Sequence, residues 1–383
     1  MSSTFYMPPI SLMGKGAIKG LGAEIKSRHF NKALIVTDKV LVKLNLIKHL
    51  TDELTLNGID YVIFDEVKPN PTEQNMEDGL AQLKAQACDL VISFGGGSAH
   101  DCAKGIALVA SNGGHIRDYS NGVHTAPKPQ LPLITVNTTA GTASEMTVFA
   151  IVTNEKDETK YPVVDKHLLP IIAVNDSELM VAMPAFLTAA TGMDALTHAV
   201  EAYVSTAATP VTDAVAIKAI ELIARHLDTA VLDGTNIEAR DAMQYAEYLA
   251  GMAFSNASLG YVHAMAHQLG GVYDLAHGLC NAILLPEVSR FNAQVKSARF
   301  ADIAKAMGVN TYNLSVEDAA NAGINAIEAL SQRIGTAQKL SDLGVEQHRL
   351  AFMANNALKD ACSLTNPRQA TTEEIVNLYR KVM

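Results

Sequence analysis

Features that would point to several classes of protein are missing from this sequence. Acidic residues outnumber basic ones by 40 to 30, giving a formal net charge of −10, which argues against nucleic acid or an anionic membrane surface as a partner. No apolar run approaches the length needed to cross a bilayer. Residues 1–16 show no basic stretch followed by an apolar one, so we expect no secretory signal peptide. The sequence therefore predicts neither a nucleic-acid partner nor a membrane partner.

Cysteine is also scarce. The chain has 4 cysteines, and no two of them have the short spacing of a zinc-binding thiolate pair or a redox dithiol. They are Cys88, Cys102, Cys280 and Cys362. Scattered cysteines of this kind are typical of reduced thiols inside the cell. Together with the missing signal peptide, they predict a cytoplasmic protein.

The remaining composition is that of a folded protein with a large core. Hydrophobic residues make up 48% of the 383 residues and charged residues 18%, which is typical of a globular chain rather than a disordered one. A chain of this length is long enough to form two domains. No glycine- or serine-rich linker, internal repeat or low-complexity segment is visible.

The two halves of the chain differ in their hydrophobic pattern. Short apolar runs at 33–38, 61–65, 89–94 and 131–136 alternate with helical stretches, a pattern typical of a parallel sheet covered on both faces. Beyond Met183 and Pro184, apolar residues recur at helical spacing, as in 213–224. We therefore predict an α/β domain with a parallel, dinucleotide-binding sheet at 1–183 and an all-α domain at 184–383.

A glycine-rich turn follows the third apolar run. Gly95, Gly96 and Gly97 precede Ser98 and a helical stretch, so backbone N–H groups at the helix start can approach an anion such as a pyrophosphate. The turn is not the G-x-G-x-x-G fingerprint, and a tight turn without a ligand is the alternative. A second loop, 137–145, is rich in hydroxyls and small residues and also follows an apolar run. Two such loops at the ends of parallel strands would line one crevice.

Asp38 ends the first of these runs. At a strand end its carboxylate can accept hydrogen bonds from an adenosine ribose, and it would repel a 2′-phosphate, so the position favours NAD over NADP. Aspartate is also an ordinary turn residue, and that is the alternative.

Histidines and an aspartate in the second half are spaced for a metal site. Asp194 and His198 are four residues apart, as are His263 and His267, so each pair lies on one face of a helix. His277 follows nearby. Histidine nitrogens with one carboxylate and no sulfur suit iron(II), zinc or manganese. The pattern supplies one candidate more than a tetrahedral site needs, and a purely structural role for the histidines is the alternative.

The two predicted sites make chemical sense together. A metal with an open position acts as a Lewis acid and lowers the pKa of an alcohol oxygen. An alcohol activated in this way beside a nicotinamide ring is prepared to give up a hydride. The residues therefore indicate a metal-dependent, NAD(H)-linked alcohol dehydrogenase.

Five stretches of the chain resemble one family. They are GGGSAHDCAKGIAL, NTTAGTASE, AATGMDALTHAVEAY, AGMAFSNASLGYVHAMAHQLGG and HGLCNAILLP. Over essentially its whole length the sequence resembles the iron-dependent, group III alcohol dehydrogenases, and within them the fermentative ethanol, lactaldehyde and 1,3-propanediol dehydrogenases. The resemblance implies the dehydroquinate-synthase-like architecture of that family, with an α/β and an all-α domain.

The resemblance also implies roles for individual residues. The iron ligands would be Asp194, His198, His263 and His277. His267 is then the unliganded histidine near the nicotinamide, a catalytic residue that relays a proton or positions substrate and cofactor. The NAD contacts would be Asp38, Asn70, Gly96, Gly97, Ser98, Thr138, Thr139, Thr147, Lys160 and Leu179. Phe149 and Phe254 would form part of a small apolar substrate wall, with ordinary core packing as the alternative for either one.

The chain departs from the family pattern at a few positions. Ala99 replaces the proline that usually follows the glycine-rich turn, which should loosen the turn without removing its N–H donors. Val148 and Ala150 stand where relatives commonly carry arginine and cysteine, so the substrate preference stays open. Glu287 stands where the family often has histidine, which changes the local charge.

We therefore expect an iron-dependent, NAD(H)-linked enzyme that interconverts short-chain primary alcohols or diols and their aldehydes, as a homodimer or larger homo-oligomer. A zinc-dependent polyol or glycerol dehydrogenase is one alternative on the same fold. A dehydroquinate-synthase-like cyclase is another, but it would need basic residues for a sugar phosphate, and 194–277 offers only Lys218, Arg225 and Arg240. A non-catalytic NAD or metal sensor is the alternative of another class. Zinc binds most nitrogen and oxygen sites more tightly than iron(II) and can occupy the site.

Overall fold

The computed structural model describes residues 4–120, 124–155 and 159–383. The chain folds into two compact units: residues 1–139 with 143–181 form the first, and residues 140–142 with 182–383 form the second. Among the described residues, no helix combines the length and the apolar character needed to span a bilayer.

The first unit is built on a parallel sheet. Its strands are β1 (Ser11–Met13), β2 (Lys32–Val36), β3 (Asp60–Phe64), β4 (Leu90–Gly95), β5 (Leu133–Asn137), β6 (Phe149–Asn154), β7 (Thr159–Val164) and β8 (Ile172–Asn175). Strands β6 and β7 form a separate antiparallel pair. The other strands form a 6-stranded sheet in the order β1-β8-β5-β4-β2-β3, with every neighbouring pair parallel. The predicted parallel sheet is confirmed.

Helices cover both faces of this sheet. They are α1 (Leu21–Ser27), α2 (Lys39–Lys43), α3 (Lys48–Leu56), α4 (Glu73–Ala85) and α5 (Gly97–Asn112). Because successive side chains of a strand point to opposite faces, Leu34 of β2 packs in one core cluster with Ile106 of α5. Its neighbour Ile35 packs in the other cluster with Leu50 of α3. Burial on both faces is why the strands read as continuous apolar runs.

The second unit is helical. Its helices are α6 (Ala185–Val204), α7 (Pro210–Leu232), α8 (Ile237–Ala257), α9 (Tyr261–Tyr273), α10 (His277–Ala306), α11 (Val316–Arg333), α12 (Leu350–Ala357) and α13 (Thr372–Lys381). Helix α7 begins with Thr209 as its N-cap and Pro210 in its first turn, an arrangement that satisfies N–H groups the helix itself leaves unpaired. An α/β region followed by a helical region is the predicted fold class, which is confirmed.

Candidate metal and dinucleotide sites

Helix α6 brings acidic and imidazole side chains to one buried face. Asp194, His198 and Glu201 recur at intervals of four and three residues, so they lie along the same side of the helix. Asp194 is 2% exposed, His198 4% and Glu201 2%. Burying ionisable groups this deeply costs free energy unless they have partners. We therefore expect polar or metal partners for the side chains on this face.

Helices α9 and α10 complete the cluster. Asp194 Oδ1 lies 3.9 Å from His198 Nε2, 3.8 Å from His263 Nε2 and 3.5 Å from His277 Nε2. A tetrahedral ion with bonds of about 2.1 Å has ligand atoms about 3.4 Å apart. The ligand atoms of Asp194, His263 and His277 lie within 4.8 Å of one another, and nitrogen and carboxylate ligands at this spacing suit a divalent transition metal. His198 reaches the cluster through Asp194, although it does not belong to this mutually close group.

Close helix packing places His277 in this set. Gly278 follows it in the first turn of α10, and a Cβ at Gly278 would overlap the backbone carbonyl of Ala190 on α6. Only glycine allows this approach. The side chain of His277 is 42% exposed, so the cluster can be reached from solvent at this ligand.

Burial also sets the protonation state of the cluster. Burial lowers the pKa of His198. It lowers the pKa of His263 well below its ordinary value, and the neighbouring histidines act in the same direction. Both imidazoles are therefore neutral at physiological pH, which is the form that binds a metal.

Two residues outside the predicted ligand set hold the ligands in place. Glu201 Oε2 lies 2.6 Å from His263 Nδ1. Burial raises the pKa of Glu201, whereas hydrogen bonds from backbone N–H groups oppose this and favour its ionised form. Asn281 Nδ2 donates to Asp194 Oδ1 at 2.7 Å. Sequence reasoning missed both, although Glu201 continues the helical spacing of Asp194 and His198 and Asn281 lies one turn after His277.

His267, the predicted catalytic residue, lies beside the cluster. Its ring stacks on that of His277 with centroids 5.5 Å apart. Its Nδ1 is 2.8 Å from Asp360 Oδ2, and Cys362 lies close enough for the three to form a second group of potential ligands. No local pattern points to Asp360, which is 93 residues away from His267 along the chain.

The two phenylalanines predicted for the substrate wall lie in different units. Phe254 of α8 stacks on the ring of His198 with centroids 4.2 Å apart and an interplanar angle of 23°. It therefore contacts a predicted metal ligand directly. Phe149 begins β6 in the first unit and is half-buried. A substrate contact by either one stays a prediction.

In the first unit, two of the predicted NAD residues, Asp38 and Gly96, lie where the strand order of the sheet reverses. Strands β2 and β4 are neighbours, but β3 follows β2 on one side and β5 follows β4 on the other. Open α/β sheets bind ligands at such a point, beyond the carboxyl ends of the strands. Asp38 follows β2 and Gly96 follows β4, so both lie at this edge.

The glycine-rich turn and the second predicted crevice loop, 137–145, are in contact. Gly96 precedes α5, whose first residues are Gly97 and Ser98. A Cβ at Gly96 would lie 2.8 Å from Cγ2 of Thr139, and Thr138 N donates to the Gly95 carbonyl at 3.0 Å. The unpaired N–H groups of the first turn of α5 and the Thr138–Thr139 loop therefore share one edge of the sheet.

The other predicted NAD residues lie at separate places in the first unit. Asp38 caps α2, with Oδ1 accepting from Val40 N at 2.8 Å. Lys160 Nζ donates to Asn70 Oδ1 at 2.9 Å, which brings these two residues together. Leu179 is 1% exposed and packs in the core, so its side chain is not displayed at the surface.

A buried lysine that sequence reasoning missed fixes the second loop. Lys104 Nζ donates to the hydroxyls of Ser144 and Thr147, both at 3.1 Å, and to the Phe149 carbonyl at 2.6 Å. Asp101 Oδ1 accepts from Ser144 Oγ at 2.6 Å. Burial lowers the pKa of Lys104 to about 8. Lys104 and Asp101, both on helix α5, thus hold the segment 144–149 against that helix.

The departures from the family pattern lie in different surroundings. Val148 and Ala150 are buried, and Ala150 belongs to a core cluster of the first unit. Glu287 forms ion pairs with Arg290 and, at 3.1 Å, with Lys381. The acidic side chain at 287 is thus compensated locally. Ala99 is buried in the first turn of α5.

Comparison with known proteins places the chain in a family. Residues 8–177 match the family of iron-containing alcohol dehydrogenases, and residues 188–383 match the C-terminal part of the Fe-containing alcohol dehydrogenase family. Alcohol dehydrogenase 4 of Schizosaccharomyces pombe is 51% identical over 383 residues, covering 100% of this chain and 89% of that protein. NAD-dependent methanol dehydrogenase of Bacillus methanolicus is 44% identical over 381 residues, covering 100% of each.

A solved structure agrees with these matches. The crystal structure of a 1,3-propanediol oxidoreductase has a TM-score of 0.98 to this chain at 47% identity, covering 100% of both. This chain therefore belongs to the iron-containing alcohol dehydrogenase family, and it is an oxidoreductase. The resemblance inferred from the sequence motifs is confirmed.

Proposed function

We propose that this chain is an iron-dependent, NAD(H)-linked alcohol dehydrogenase that interconverts short-chain primary alcohols or diols and their aldehydes. The observation that carries the proposal is the set of one carboxylate and three imidazoles, with Asp194 Oδ1 at 3.5–3.9 Å from three Nε2 atoms. Membership of the iron-containing alcohol dehydrogenase family supports a metal-binding role for this set.

The ligand set suits a metal that activates a substrate oxygen. One carboxylate and three neutral imidazoles would hold iron(II) at Asp194, His198, His263 and His277. When bound, the metal supplies Lewis acidity that lowers the pKa of an alcohol oxygen. The exposed side of His277 gives a small alcohol access to the set. Zinc is an alternative occupant of the same ligands.

His267 is proposed to handle the proton. Its Nδ1 faces the Asp360 carboxylate at 2.8 Å, so the ring is held and Nε2 is the atom left to exchange a proton or position the substrate. The side chain is 35% exposed, which gives it contact with solvent.

The first unit is proposed to bind NAD. The pyrophosphate would lie against the first turn of α5 at Gly96, Gly97 and Ser98, because that turn offers unpaired N–H groups beside the Thr138–Thr139 loop. Asp38 keeps Oδ2 available for a ribose while Oδ1 caps α2, and its charge disfavours a 2′-phosphate. Four further contacts are proposed: Asn70, Thr147, Lys160 and Leu179. The name of the methanol dehydrogenase relative supports NAD as the cofactor.

The basic residues of the segment 194–277 do not favour the cyclase alternative. Arg240 is 2% exposed and donates to the Thr188 hydroxyl at 2.7 Å and the Gly234 carbonyl at 2.9 Å. Lys218 and Arg225 both pair with Glu221. Each of the three is thus engaged within the helical unit, and a sugar phosphate would need free cations.

We further propose that the enzyme works in the cytoplasm as a homodimer or larger homo-oligomer, with small alcohols and aldehydes as substrates and with neither a nucleic-acid nor a membrane partner. Support for the compartment comes from the cysteines, all four of which are free thiols. The family resemblance supports the assembly. Light scattering on the purified chain and fractionation of the source cells test the two statements separately.

Metal reconstitution tests the proposed function. Protein stripped of metal under anaerobic conditions is reloaded with iron(II) or with zinc, and NADH absorbance is followed with ethanol, 1-propanol and 1,2-propanediol. Iron(II) is expected to restore NADH formation with at least one alcohol. Stoichiometric metal binding without turnover on any of them would contradict the proposal and favour a sensor.

A further inference from the structure

Glu201 is a buried carboxylate at the contact between α6 and α9. It is 2% exposed, and its two oxygens have different partners. Oε2 lies 2.6 Å from His263 Nδ1, and Oε1 accepts from the backbone N–H of Val262 at 2.6 Å. The carboxylate thus contacts both the imidazole and the backbone of the same helical turn.

The surroundings of Glu201 are shaped around it. A Cβ at Gly260 would lie 2.9 Å from Glu201 Oε1 and 2.7 Å from Asn366 Oδ1, so the chain approaches both oxygens closely. Asn366 Oδ1 accepts from Tyr261 N at 3.1 Å. The first N–H groups of a helix have no partner within the helix, and here Glu201 and Asn366 accept from them. Glu201 therefore fixes where α9 begins relative to α6.

The same carboxylate determines which nitrogen of His263 carries the lone pair. A neutral imidazole carries one N–H, and the nitrogen that faces a carboxylate is the one that holds it. With Nδ1 facing Oε2, the lone pair lies on Nε2, which is the atom 3.8 Å from Asp194 Oδ1. Carboxylate partners of this kind orient metal-binding histidines and raise their basicity.

We propose that Glu201 is a positioning residue for the metal centre, holding His263 with Nε2 directed at the ligand set and anchoring the start of α9. The inference rests on the proposed function in that it assumes a metal at these ligands. It predicts that Glu201 contributes to metal affinity without contacting the metal.

Asp360 provides a matched control. It pairs with His267 Nδ1 at 2.8 Å, the same arrangement one helical turn along α9. His267 is the histidine left outside the proposed ligand set. Asp360→Asn therefore makes the same chemical change as Glu201→Gln beside a histidine that does not bind the metal.

The test measures cobalt(II) affinity of the full-length chain by competition with a chelator, together with the visible absorption of bound cobalt. Glu201→Gln is expected to weaken binding about 10- to 100-fold and to change the cobalt spectrum, because an amide N–H in place of Oε2 favours the opposite tautomer of His263. Cobalt is kept below one equivalent per chain so that the strongest site fills first, because His267, Asp360 and Cys362 form a second group of potential ligands. Under this condition Asp360→Asn is expected to leave both the affinity and the spectrum unchanged. Cobalt binding by Glu201→Gln equal to that of the natural chain would overturn the inference, as would an equal loss in Asp360→Asn.

A second variant guards against simple misfolding. Glu201→Asp keeps the carboxyl group but shortens the side chain by one methylene, so its affinity is expected to lie between those of the natural chain and Glu201→Gln. Circular dichroism of the metal-free proteins checks that each is folded, and any other order of affinities contradicts the inference. If the cobalt affinities follow the expected order but the natural chain turns over no alcohol, the result would count against the proposed function alone. Normal turnover with an unchanged affinity in both Glu201 variants would count against the inference alone.

Discussion

Two histidines one turn apart on α9 have different surroundings. His263 is 2% exposed and has Nε2 in the proposed ligand set, whereas His267 is 35% exposed at its side chain and pairs with Asp360. Spacing alone does not separate them, because His263 and His267 lie on the same helical face. The family resemblance assigned the metal to His263, and the geometry is compatible with that assignment.

Alanine substitution distinguishes the two roles. His263→Ala is expected to lose bound metal and activity together. His267→Ala is expected to keep its metal while turnover falls by about 100-fold or more, the usual contribution of a general acid or base. Metal content by elemental analysis and initial NADH rates are measured on the same samples. A metal-free His267→Ala protein would show that the roles are assigned wrongly.

His100 in the first unit is a buried imidazole with a pH-dependent effect on stability. Burial lowers the pKa of His100 to about 3, and the nearby charge of Lys104 acts in the same direction. The ring lies between Ser93 Oγ at 2.7 Å and Asn137 Oδ1 at 3.5 Å. Between about pH 6.5 and this lowered value, the unfolded chain binds a proton that the folded chain does not.

Stability should therefore fall as the pH drops from 6.5 towards 3, by at most about 1.4 kcal/mol per pH unit from this group. His100→Gln removes the titrating ring and keeps polar atoms for Ser93 and Asn137. The free energy of unfolding in urea, measured against pH, is expected to be less steep for this variant over that window. Parallel curves for the two proteins would refute the prediction.

At the scale of elements, α10 can begin against α6 only because Gly278 has no side chain. Its Cβ would overlap the Ala190 carbonyl, so a methyl group there must push His277 away from Asp194. Gly278→Ala is expected to weaken metal binding and to destabilise the fold by about 1–3 kcal/mol. Cobalt titration and urea unfolding measure the two effects.

Gly271→Ala is the matched control for this prediction. Gly271 is a helical glycine of α9, and a Cβ there meets nothing within 4 Å. The alanine should bind metal normally and stabilise the helix by up to about 1 kcal/mol. If Gly278→Ala behaved like Gly271→Ala, close packing of α10 on α6 would not be what positions His277.

The elements that were predictable from the sequence are those with a strong local pattern. The apolar runs that became β2, β3, β4 and β5 are buried and followed by helices, so the parallel sheet followed from them. β1 has 3 residues and β8 has 4, and segments this short are too short for a hydrophobic pattern to be recognised in the sequence. The pair β6–β7 was also missed, because antiparallel pairing depends on contacts between strands rather than on either strand alone.

The same limit applies to the site. Asp194 and His198 were recognisable because ligands four residues apart share a helix face. Glu201 and Asn281 also lie at helical spacing from ligands, but a carboxylate or amide that supports a ligand has no required spacing that would distinguish it from other polar residues. Asp360 is distant from His267 along the chain. Their roles arise from helix packing, which the sequence does not display.

For the whole molecule, the proposed groups are divided between the two units. The residues proposed for NAD belong to the first, and the proposed metal ligands and His267 belong to the second. Neither unit holds all of the groups that the reaction requires. Family membership over residues 8–177 and 188–383 supports a single enzyme formed by the whole chain.

The most direct test of the central claim is to follow the hydride itself. Iron(II)-loaded protein is given NAD and 1-propanol carrying two deuterium atoms on its first carbon, in ordinary water, and the NADH is analysed by mass spectrometry. Direct transfer predicts NADH that contains one deuterium, and unlabelled propanol in heavy water predicts none. NADH without deuterium from the labelled alcohol, or no NADH at all from any alcohol tested, would contradict the proposal that this chain is an NAD-linked alcohol dehydrogenase.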